Sequence, residues 1–328
     1  MIIKSIKLIN FRNHSSYNLQ CKEDTTLILG ENGSGKTSVL EAIYILTQGK
    51  SFRATDQEII KRGTDFYRIE LNYYNGDTNI ATYDHKNKNF IIHDQKTKRL
   101  PKKNKYPVVL FLPSDLNLIS HSPSRHRDYF DRVYNEFNEK YHESLLKYNK
   151  TLKQRNELLK KEFISKDAIF SWNLLLAKFG TELYNYRNNY TKEINTEYTN
   201  YYQSITKNQD EVSIKYKTEV DNFTEEKYLK YLEQNYEKDT YLGYTSFGIH
   251  RDDYLFKLNH QPADGSASRG ETRSMILALK FIEAKLIEEK NHRKPLILLD
   301  DVFSELDETH RNSLIKNFKD HQIILTSV

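Results

Sequence analysis

The residues with the clearest chemical signature form the segment Gly30-Glu31-Asn32-Gly33-Ser34-Gly35-Lys36-Thr37-Ser38. The segment fits GxxxxGK(S/T) and lies between the apolar run Thr25–Leu29 and a helical pattern. Glycines let such a loop curl its backbone N–H groups around a phosphate at a helix N-terminus, where the helix dipole favours negative charge. Lys36 would bridge the β- and γ-phosphates of a nucleoside triphosphate, and Thr37 would bind Mg²⁺. We therefore predict a nucleotide-phosphate site at residues 30–38.

Two adjacent carboxylates, Asp300 and Asp301, are predicted to complete this site. They follow Leu296–Leu299, an apolar run typical of a strand buried on both faces. Asp300 would bind Mg²⁺ together with Thr37, and Asp301 would orient or deprotonate the attacking water. Lys36, Asp300 and Asp301 are thus the predicted catalytic residues. The alternative for this pair taken alone is a buried strand that ends in polar residues.

Two tetrapeptides precede helical patterns, Ser268-Arg269-Gly270-Glu271 and Ser304-Glu305-Leu306-Asp307. Each fits the template of a capping box, in which a serine and an acid three positions later satisfy N–H groups at a helix N-terminus. Taken alone, each is interpreted as a helix cap rather than a ligand site.

Proline and glycine divide the chain into regions that differ in secondary structure. Between Pro123 and Gly243 there is no proline and only one glycine, so this stretch is predicted to be mostly helical. Apolar residues recur every three or four positions in 130–152 and 172–190, which predicts two long amphipathic helices. A strand is predicted within 211–220, where apolar and polar residues alternate. The tyrosines of this region are interpreted as core rather than as a surface that stacks on bases.

The flanking regions show short strands separated by turn residues. The predicted strands are Ile2–Phe11, Thr25–Leu29, Phe66–Tyr74, Asn79–Tyr83, Phe90–His93, Val108–Leu112, Leu296–Leu299 and Ile323–Leu325. We predict an α/β fold in which residues 1–112 and 243–328 form one ATPase lobe. A mainly helical lobe, residues 113–242, would be inserted into it.

Composition sets limits on the class of protein. The 328 residues contain 50 Lys and Arg against 45 Asp and Glu, a net charge of +5 that allows a polyanionic partner without demanding one. The only cysteine, Cys21, cannot form an internal disulfide or a thiolate-rich metal site. No apolar run is long enough to cross a bilayer. A cytoplasmic protein with no membrane partner is therefore expected.

Ordered motifs along nearly the whole chain resemble one family. They are LINFRNH (8–14), GENGSGKTSVLEAI (30–43), KSFRATDQEII (50–60), VVLFLPSDLNLI (108–119), SPSRHRDYFDRV (122–133), YNKTLKQRNELLK (148–160), GIHRDDYLF (248–256), SRGETRSMILALK (268–280) and LILLDDVFSELD (296–307). The set resembles the ABC-type ATPase heads of the structural-maintenance-of-chromosomes class, and most closely the RecF recombination-repair proteins.

The resemblance implies roles that local patterns do not reveal. In ABC-type ATPases the signature segment, here Ser268 to Gly270, touches the γ-phosphate of ATP held by a second copy, and the segment containing Asp307 runs along the dimer interface. Arg12 and Asn13 are implied to approach the nucleotide, and residues 250–253 to border the site. The implied cofactors are ATP and Mg²⁺, and the implied assembly is an ATP-dependent homodimer.

Family resemblance also implies a function in recombinational repair and replication-fork maintenance. RecF-like proteins bind double-stranded DNA and single/double-strand junctions, and with RecR and RecO they help to load RecA. Slow, DNA-stimulated ATP hydrolysis would release the pair of molecules from DNA.

Several basic residues could supply a DNA surface. Residues 96–105 contain six basic residues and no acid, which suits phosphate neutralisation but also fits an ordinary solvated loop. The predicted helical lobe adds Arg125, Arg127, Lys150, Lys153, Arg155, Lys160 and Lys161.

Two other functions fit parts of the sequence. A nucleotide-switched scaffold without significant turnover would share the phosphate loop. A transporter's nucleotide-binding subunit would also share it, but such subunits place the two nucleotide motifs closer together and usually carry LSGGQ, which is lacking here.

Overall fold

The computed structural model describes residues 2–120, 122–161, 166–220 and 223–328. The side chains of Ser304 and Glu305 lie outside the described residues, and so does that part of the predicted capping box. Contacts divide the chain into two units. Unit 1 consists of residues up to Leu116 together with Glu283–Val328, and unit 2 is Asn117–Ile282.

The elements are numbered in chain order. The strands are β1 (Ile3–Phe11), β2 (His14–Gln20), β3 (Thr25–Leu29), β4 (Tyr67–Tyr73), β5 (Thr78–Tyr83), β6 (Lys88–Ile92), β7 (Gln95–Thr97), β8 (Val108–Phe111), β9 (Val212–Lys217), β10 (Asp253–Leu258), β11 (Gln261–Pro262), β12 (Leu296–Leu299) and β13 (Ile323–Ser327). The α-helices are α1 (Lys36–Gln48), α2 (Asp56–Ile59), α3 (Pro123–Phe137), α4 (Glu139–Leu159), α5 (Lys166–Thr206), α6 (Glu225–Gln234), α7 (Tyr236–Leu242), α8 (Arg269–Asn291), α9 (Val302–Glu305) and α10 (Glu308–Asn317).

A parallel sheet of four strands, in the order β3-β13-β12-β8, lies in unit 1. All residues of β8 and β12 are buried, which explains why their sequences are unbroken apolar runs. Because the strands are parallel, the phosphate loop after β3 and the two aspartates after β12 leave the sheet at the same edge.

An antiparallel sheet of six strands, in the order β2-β1-β4-β5-β6-β7, forms the other layer of unit 1. Buried and half-buried residues alternate along β4, as expected for a strand with one face in the core. Helix α1 contacts strands of both sheets and is buried along almost its whole length. The helix that follows the phosphate loop is therefore held between the two layers.

Unit 2 is mainly helical and carries a small antiparallel sheet, β11-β10-β9. Helices α4 and α5 pack against each other, and α5 also contacts α6 and β9. Among its fully buried side chains are seven tyrosines, Tyr134, Tyr141, Tyr148, Tyr198, Tyr202, Tyr228 and Tyr254. Six of these tyrosines lie in the region whose tyrosines were predicted to belong to the core, and Tyr254 lies beyond it.

The structure contains elements that were not predicted, and one predicted helix is divided. Strand β2 was not predicted because its sequence, HSSYNLQ, has little apolar alternation. The helix predicted over 130–152 is two helices, since Asn138 lies in extended backbone and its side chain caps α4 by accepting a hydrogen bond from the Tyr141 N–H. Strand β10 was also missed.

The lobe boundary predicted at residue 243 differs from the division by contacts. Residues 243–282 belong to unit 2. Strand β10 pairs with β9 along its full length, and the Tyr198 hydroxyl donates to the carbonyl of Met275 on α8 at 3.1 Å. Pairing between distant segments decides this boundary, and local composition does not encode it. Within the described residues, no helix is long and apolar enough to cross a membrane.

Candidate nucleotide-binding site

The phosphate loop of unit 1 has the backbone conformation that its glycines predict. Gly33 and Gly35 have φ angles of 81° and 100°, a region that favours glycine. The Lys36 ammonium donates hydrogen bonds to the carbonyls of Gly30 at 2.7 Å and Glu31 at 3.1 Å. The loop therefore closes on its own lysine, at the N-terminus of α1.

The structure brings the loop and the two aspartates together. The Thr37 hydroxyl donates to Asp300 Oδ1 at 2.7 Å, and Lys36 Nζ lies 3.9 Å from Asp301 Oδ1. Burial raises the pKa of Asp300 above its usual value, against the hydrogen bonds from Thr37 and Thr326 that favour its ionised form. The four predicted residues of the magnesium and catalytic set thus share one edge of the parallel sheet.

Thr326, at the end of β13, connects the two aspartates. Its hydroxyl oxygen accepts the Asp301 backbone N–H at 2.8 Å and lies 3.1 Å from Asp300 Oδ1, to which it can donate. The threonine is fully buried, and Asp301 has a φ of 48°. This side chain therefore fixes the position of the aspartate predicted to act on water.

The chemistry of these side chains suits Mg²⁺. No group of three or more His, Cys, Asp or Glu side chains among the residues described could hold a metal alone. Magnesium in nucleotide sites needs only one or two protein oxygens, because phosphate oxygens and waters complete its octahedron. Thr37 and Asp300 present two such oxygens at hydrogen-bond distance.

Asn13, in the turn after β1, and His14, which begins β2, pack against the phosphate loop. Asn13 Nδ2 donates to the Gly33 carbonyl at 3.1 Å, and His14 Nε2 donates to the Gly35 carbonyl at 3.2 Å. A Cβ atom on Gly35 would lie 2.4 Å from both side chains. Asn13 therefore contacts the loop itself, which is consistent with its predicted place near the nucleotide.

Arg12 takes part in a cluster that sequence reasoning missed. The carboxylate of Glu41, on α1, is fully buried and accepts hydrogen bonds from Arg12, Arg53 and Ser51 at 2.6 to 3.1 Å. Burial opposes ionisation, but these bonds outweigh it and hold the pKa of Glu41 below its usual value. The sequence contains one signal for this cluster, which is the position of Glu41 in the otherwise apolar pattern of α1.

A cleft of about 740 Å³ opens beside the loop. Its lining includes five basic side chains, those of Arg12, Lys36, Arg53, Lys61 and Arg62, and two acidic ones, those of Glu58 and Asp301. The cleft is large enough for a nucleotide, and its positive charge complements a triphosphate.

The signature residues implied by family resemblance lie elsewhere in the chain. Ser268 and Gly270 belong to unit 2, where both are exposed at the N-terminus of α8. The predicted capping box is present, since the Ser268 N–H donates to Glu271 Oε2 at 2.7 Å and the Glu271 N–H to Ser268 Oγ at 3.3 Å. Asp307 caps α10 in unit 1 by accepting the His310 N–H at 3.0 Å.

Residues 250–253, implied to border the site, form part of a buried polar network in unit 2. Burial lowers the pKa of His250 to about 4; its Nδ1 accepts the Tyr148 hydroxyl and its Nε2 donates to the Thr245 carbonyl. Burial raises the pKa of Asp252 to about 6, although its carboxylate accepts a hydrogen bond from Tyr216. Arg251, between them, is exposed.

The basic residues predicted to contact DNA differ in exposure. All six in 96–105 are exposed, on and after the edge strand β7. Two of them, Lys103 and Lys105, line a second cleft of unit 1, of about 840 Å³, together with Arg293, Lys294 and Lys319. The prediction that Arg155 contributes to this surface is wrong.

Arg155 is fully buried in unit 2. Its guanidinium donates to Asp239, Asn173 and Thr245 at 2.7 Å each. An arginine in that position is enclosed by the helical core and cannot reach a phosphate.

Known proteins resemble this chain over nearly its whole length. A family model described as an AAA ATPase domain matches residues 1–326. The chain is 33% identical to the DNA replication and repair protein RecF of Clostridium acetobutylicum over 336 residues, 99% of this chain and 92% of that protein. It is also 33% identical to the RecF of Clostridioides difficile over 353 residues, 100% of this chain and 91% of that one.

Two solved structures are similar over the same extent. One is described as the recombination mediator protein RecF-ATP in the RecFOR pathway, with a TM-score of 0.87 and 28% identity over 100% of this chain and 92% of that one. The other, RecF-ATPrS, has a TM-score of 0.87 and 29% identity over 99% and 92%.

Proposed function

Because the chain belongs to the RecF family of DNA replication and repair proteins, we propose that it is an ATP-dependent DNA-binding protein of recombinational repair and replication-fork maintenance. The observation that carries this proposal is the contact between the phosphate loop and the end of β12, where Thr37 donates to Asp300 at 2.7 Å. It joins the two halves of a nucleotide site that lie at opposite ends of the sequence. A related structure described as RecF-ATP supports ATP as the nucleotide.

The residues of the site have different roles in binding ATP. The N–H groups of residues 30–38 and the Lys36 ammonium bind phosphate oxygens, and Arg12 and Asn13 line the cleft. Thr37 and Asp300 would hold Mg²⁺, which would supply positive charge to neutralise the phosphates. Asp301 orients the attacking water and accepts its proton.

Hydrolysis is slow in this proposal, and DNA stimulates it. Asp301 is one methylene shorter than a glutamate, so it reaches less far toward a water near the γ-phosphate.

Two copies pair when ATP is bound. Ser268 and Gly270 of one copy contact the γ-phosphate held by the other, and Asp307 lies along the interface. The exposed N-terminus of α8, a helix of 23 residues, suits this contact because its dipole favours negative charge. Hydrolysis then lets the copies separate from each other and from DNA.

Double-stranded DNA and single/double-strand junctions bind through phosphate contacts. The six exposed basic residues of 96–105 and the cations of the second cleft, Arg293, Lys294 and Lys319, support a surface of this kind in unit 1. Six phosphate contacts would give a slope of log affinity against log salt of about −5. RecR and RecO are the proposed protein partners, in loading RecA in the cytoplasm.

Nucleotide binding is tested first with Lys36→Met, which should abolish ATP binding. Asp301→Asn should keep ATP binding and stop phosphate release, because it removes the base and leaves the phosphate loop intact. A wild-type protein that binds ATP but releases no phosphate, with or without DNA, would favour a nucleotide-switched scaffold.

Pairing is tested with Ser268→Arg, which should leave ATP binding intact and block ATP-dependent dimers in sedimentation. Ser204→Arg, at an exposed position near the end of α5, is the matched control. Normal pairing of the Ser268 variant would refute the composite site.

The DNA surface is tested by replacing Lys96, Lys98 and Arg99 with alanine. Loss of three phosphate contacts should reduce the salt slope by about 3. The control replaces Lys227, Lys230 and Lys238, three exposed lysines of α6 and α7, and an equal effect of both triple variants would remove the assignment.

A further inference from the structure

The Glu41 cluster joins three segments of unit 1 at the edge of the nucleotide cleft. Glu41 lies on α1, Arg12 follows β1, and Ser51 and Arg53 lie between α1 and α2. Both arginines line the cleft, whereas the Glu41 side chain has no exposed surface. The carboxylate therefore stands behind the arginines and not in the cleft itself.

The hydrogen bonds of the cluster hold each guanidinium in one orientation. Arg12 donates from Nε at 2.9 Å and from Nη2 at 2.7 Å to the two oxygens of Glu41, and its Nη1 donates to the Glu58 carbonyl at 3.1 Å. Arg53 donates from Nε at 3.1 Å and Nη2 at 2.9 Å to Glu41 Oε2. Paired bonds of this kind fix the plane of a guanidinium as well as its position.

The arrangement leaves donors for a ligand. The bonds of Arg53 use Nε and Nη2, and its Nη1 makes no hydrogen bond to the residues described. Arg53 Nη2 also lies 3.3 Å from the hydroxyl of Ser38, the residue that follows Thr37 at the start of α1. Arg53 is thus held beside the end of the phosphate loop, with an N–H₂ group available to an anion in the cleft.

We infer that Glu41 is a positioning residue of the nucleotide site, which holds Arg12 and Arg53 so that their guanidinium groups bind the phosphates shared by ATP and ADP. This inference rests on the proposed nucleotide-binding function. A buried carboxylate is costly unless it is paired, and here both of its oxygens are bonded to groups that line the cleft or support it. The contact with Ser38 places Arg53 near the α- and β-phosphates rather than the γ-phosphate.

Glu41→Gln separates this inference from two simpler ones, because each predicts a different change in nucleotide affinity. If Glu41 positions the arginines, its loss lets them move, and affinity for ATP and ADP should fall about tenfold, as expected for loss of an oriented charge-assisted bond. If only net charge matters, removal of a negative charge beside the cleft should strengthen binding of both nucleotides. If Glu41 only holds the loop in place, thermal stability should fall with no change in affinity.

The assay titrates fluorescent methylanthraniloyl derivatives of ATP and ADP into the full chain. Glu70→Gln is the matched control, since Glu70 bonds Arg68 at 3.0 Å on the antiparallel sheet and does not line the cleft. Steady-state hydrolysis adds a second readout, in which KM should rise and kcat should change little, because the bonds are the same in the ground and transition states. Tighter binding, or unchanged affinity with lower stability, overturns the inference.

Two arginine variants cover the case in which Glu41→Gln folds poorly, and a double-mutant cycle is added where it folds. Arg12→Gln and Arg53→Gln alter partly exposed side chains and should each weaken ATP and ADP binding to the same degree. When Glu41→Gln is combined with Arg53→Gln, the loss of ATP-binding free energy should be smaller than the sum of the two single losses. Both changes remove the same interaction, the one between Glu41 and Arg53. If neither arginine variant alters affinity while the wild type binds ATP, the inference fails and the proposed function stands; if the wild type does not bind ATP, the proposed function itself fails.

Discussion

Two buried titratable groups of unit 2 should oppose each other as pH changes. The pKa of Asp252 is raised from 3.8 to about 6, so between these values the folded protein binds a proton that the unfolded chain has lost. Stability therefore falls as pH rises through this interval. The pKa of His250 is lowered from 6.5 to about 4, so the unfolded chain holds the extra proton and stability rises with pH from about 4 to 6.5.

The two effects are similar in size. Each pKa change exceeds two pH units, and one unit corresponds to about 1.4 kcal/mol, so each group contributes about 3 kcal/mol with opposite sign. Their sum should change little between pH 4.5 and 7. Asp252→Asn removes one side of this balance and keeps an oxygen that can accept the Tyr216 hydroxyl. Relative to wild type, the variant should gain up to about 3 kcal/mol of stability by pH 7, and most of the gain should disappear near pH 4.5.

Trp172 provides a specific assay for this balance. It is the only tryptophan of the chain and lies on α5 in unit 2, so its fluorescence during urea unfolding reports on that unit. His250→Gln is the mirror experiment: relative to wild type it should be more stable at pH 4.5 than at pH 7. If the difference in free energy of unfolding between Asp252→Asn and wild type is the same at pH 4.5 and pH 7, the argument from burial is wrong.

Two further predictions concern the nucleotide site. Thr326→Val keeps the shape of a fully buried side chain but removes the hydrogen bonds to Asp300 and to the Asp301 N–H. ATP turnover should therefore fall about tenfold, with a smaller change in ATP affinity. An unchanged kcat would contradict this. Gly35→Ala should weaken ATP binding, because φ is 100° and the new Cβ, 2.4 Å from the ends of the Asn13 and His14 side chains, would displace both from the loop. Its control is Gly76→Ala, where φ is 91° but no atom lies within 4 Å of the new Cβ, so ATP binding should be retained. Equal ATP affinity in the two variants would show that the contacts with Asn13 and His14 do not matter.

The centre of the site could be predicted because it follows from strand order. Residues 296–299 are an apolar run of the kind buried in a parallel sheet and are followed at once by two aspartates, and residues 25–29 are a β-rich segment that leads directly into the phosphate loop. Parallel strands end at one edge, so Thr37 and Asp300 could be expected to meet although 263 residues separate them. The fold class was predicted on the same grounds, and the similar solved structures confirm it.

The lobe boundary could not be predicted because it depends on pairing between distant segments. Residues 253–258 were not predicted as a strand, and nothing local indicates that they pair with β9 at 212–217. The buried position of Arg155 has the same origin. Its partners Asp239 and Thr245 lie 84 and 90 residues away, so the pattern of the amphipathic helix by itself predicts a surface position for this charge.

Glu41 shows how much a single residue can indicate. Its neighbours on α1 are apolar and buried, so the helical pattern places an acid where the core should be. A carboxylate in that position requires cationic partners, because burying it unpaired would cost more than a domain of this size can tolerate. The sequence therefore implies that partners exist, but Arg12 and Arg53, 29 and 12 residues away, cannot be distinguished from other basic residues until the fold brings them together. Because both arginines also line the nucleotide cleft, the buried carboxylate that pairs with them also holds their guanidinium groups in place there.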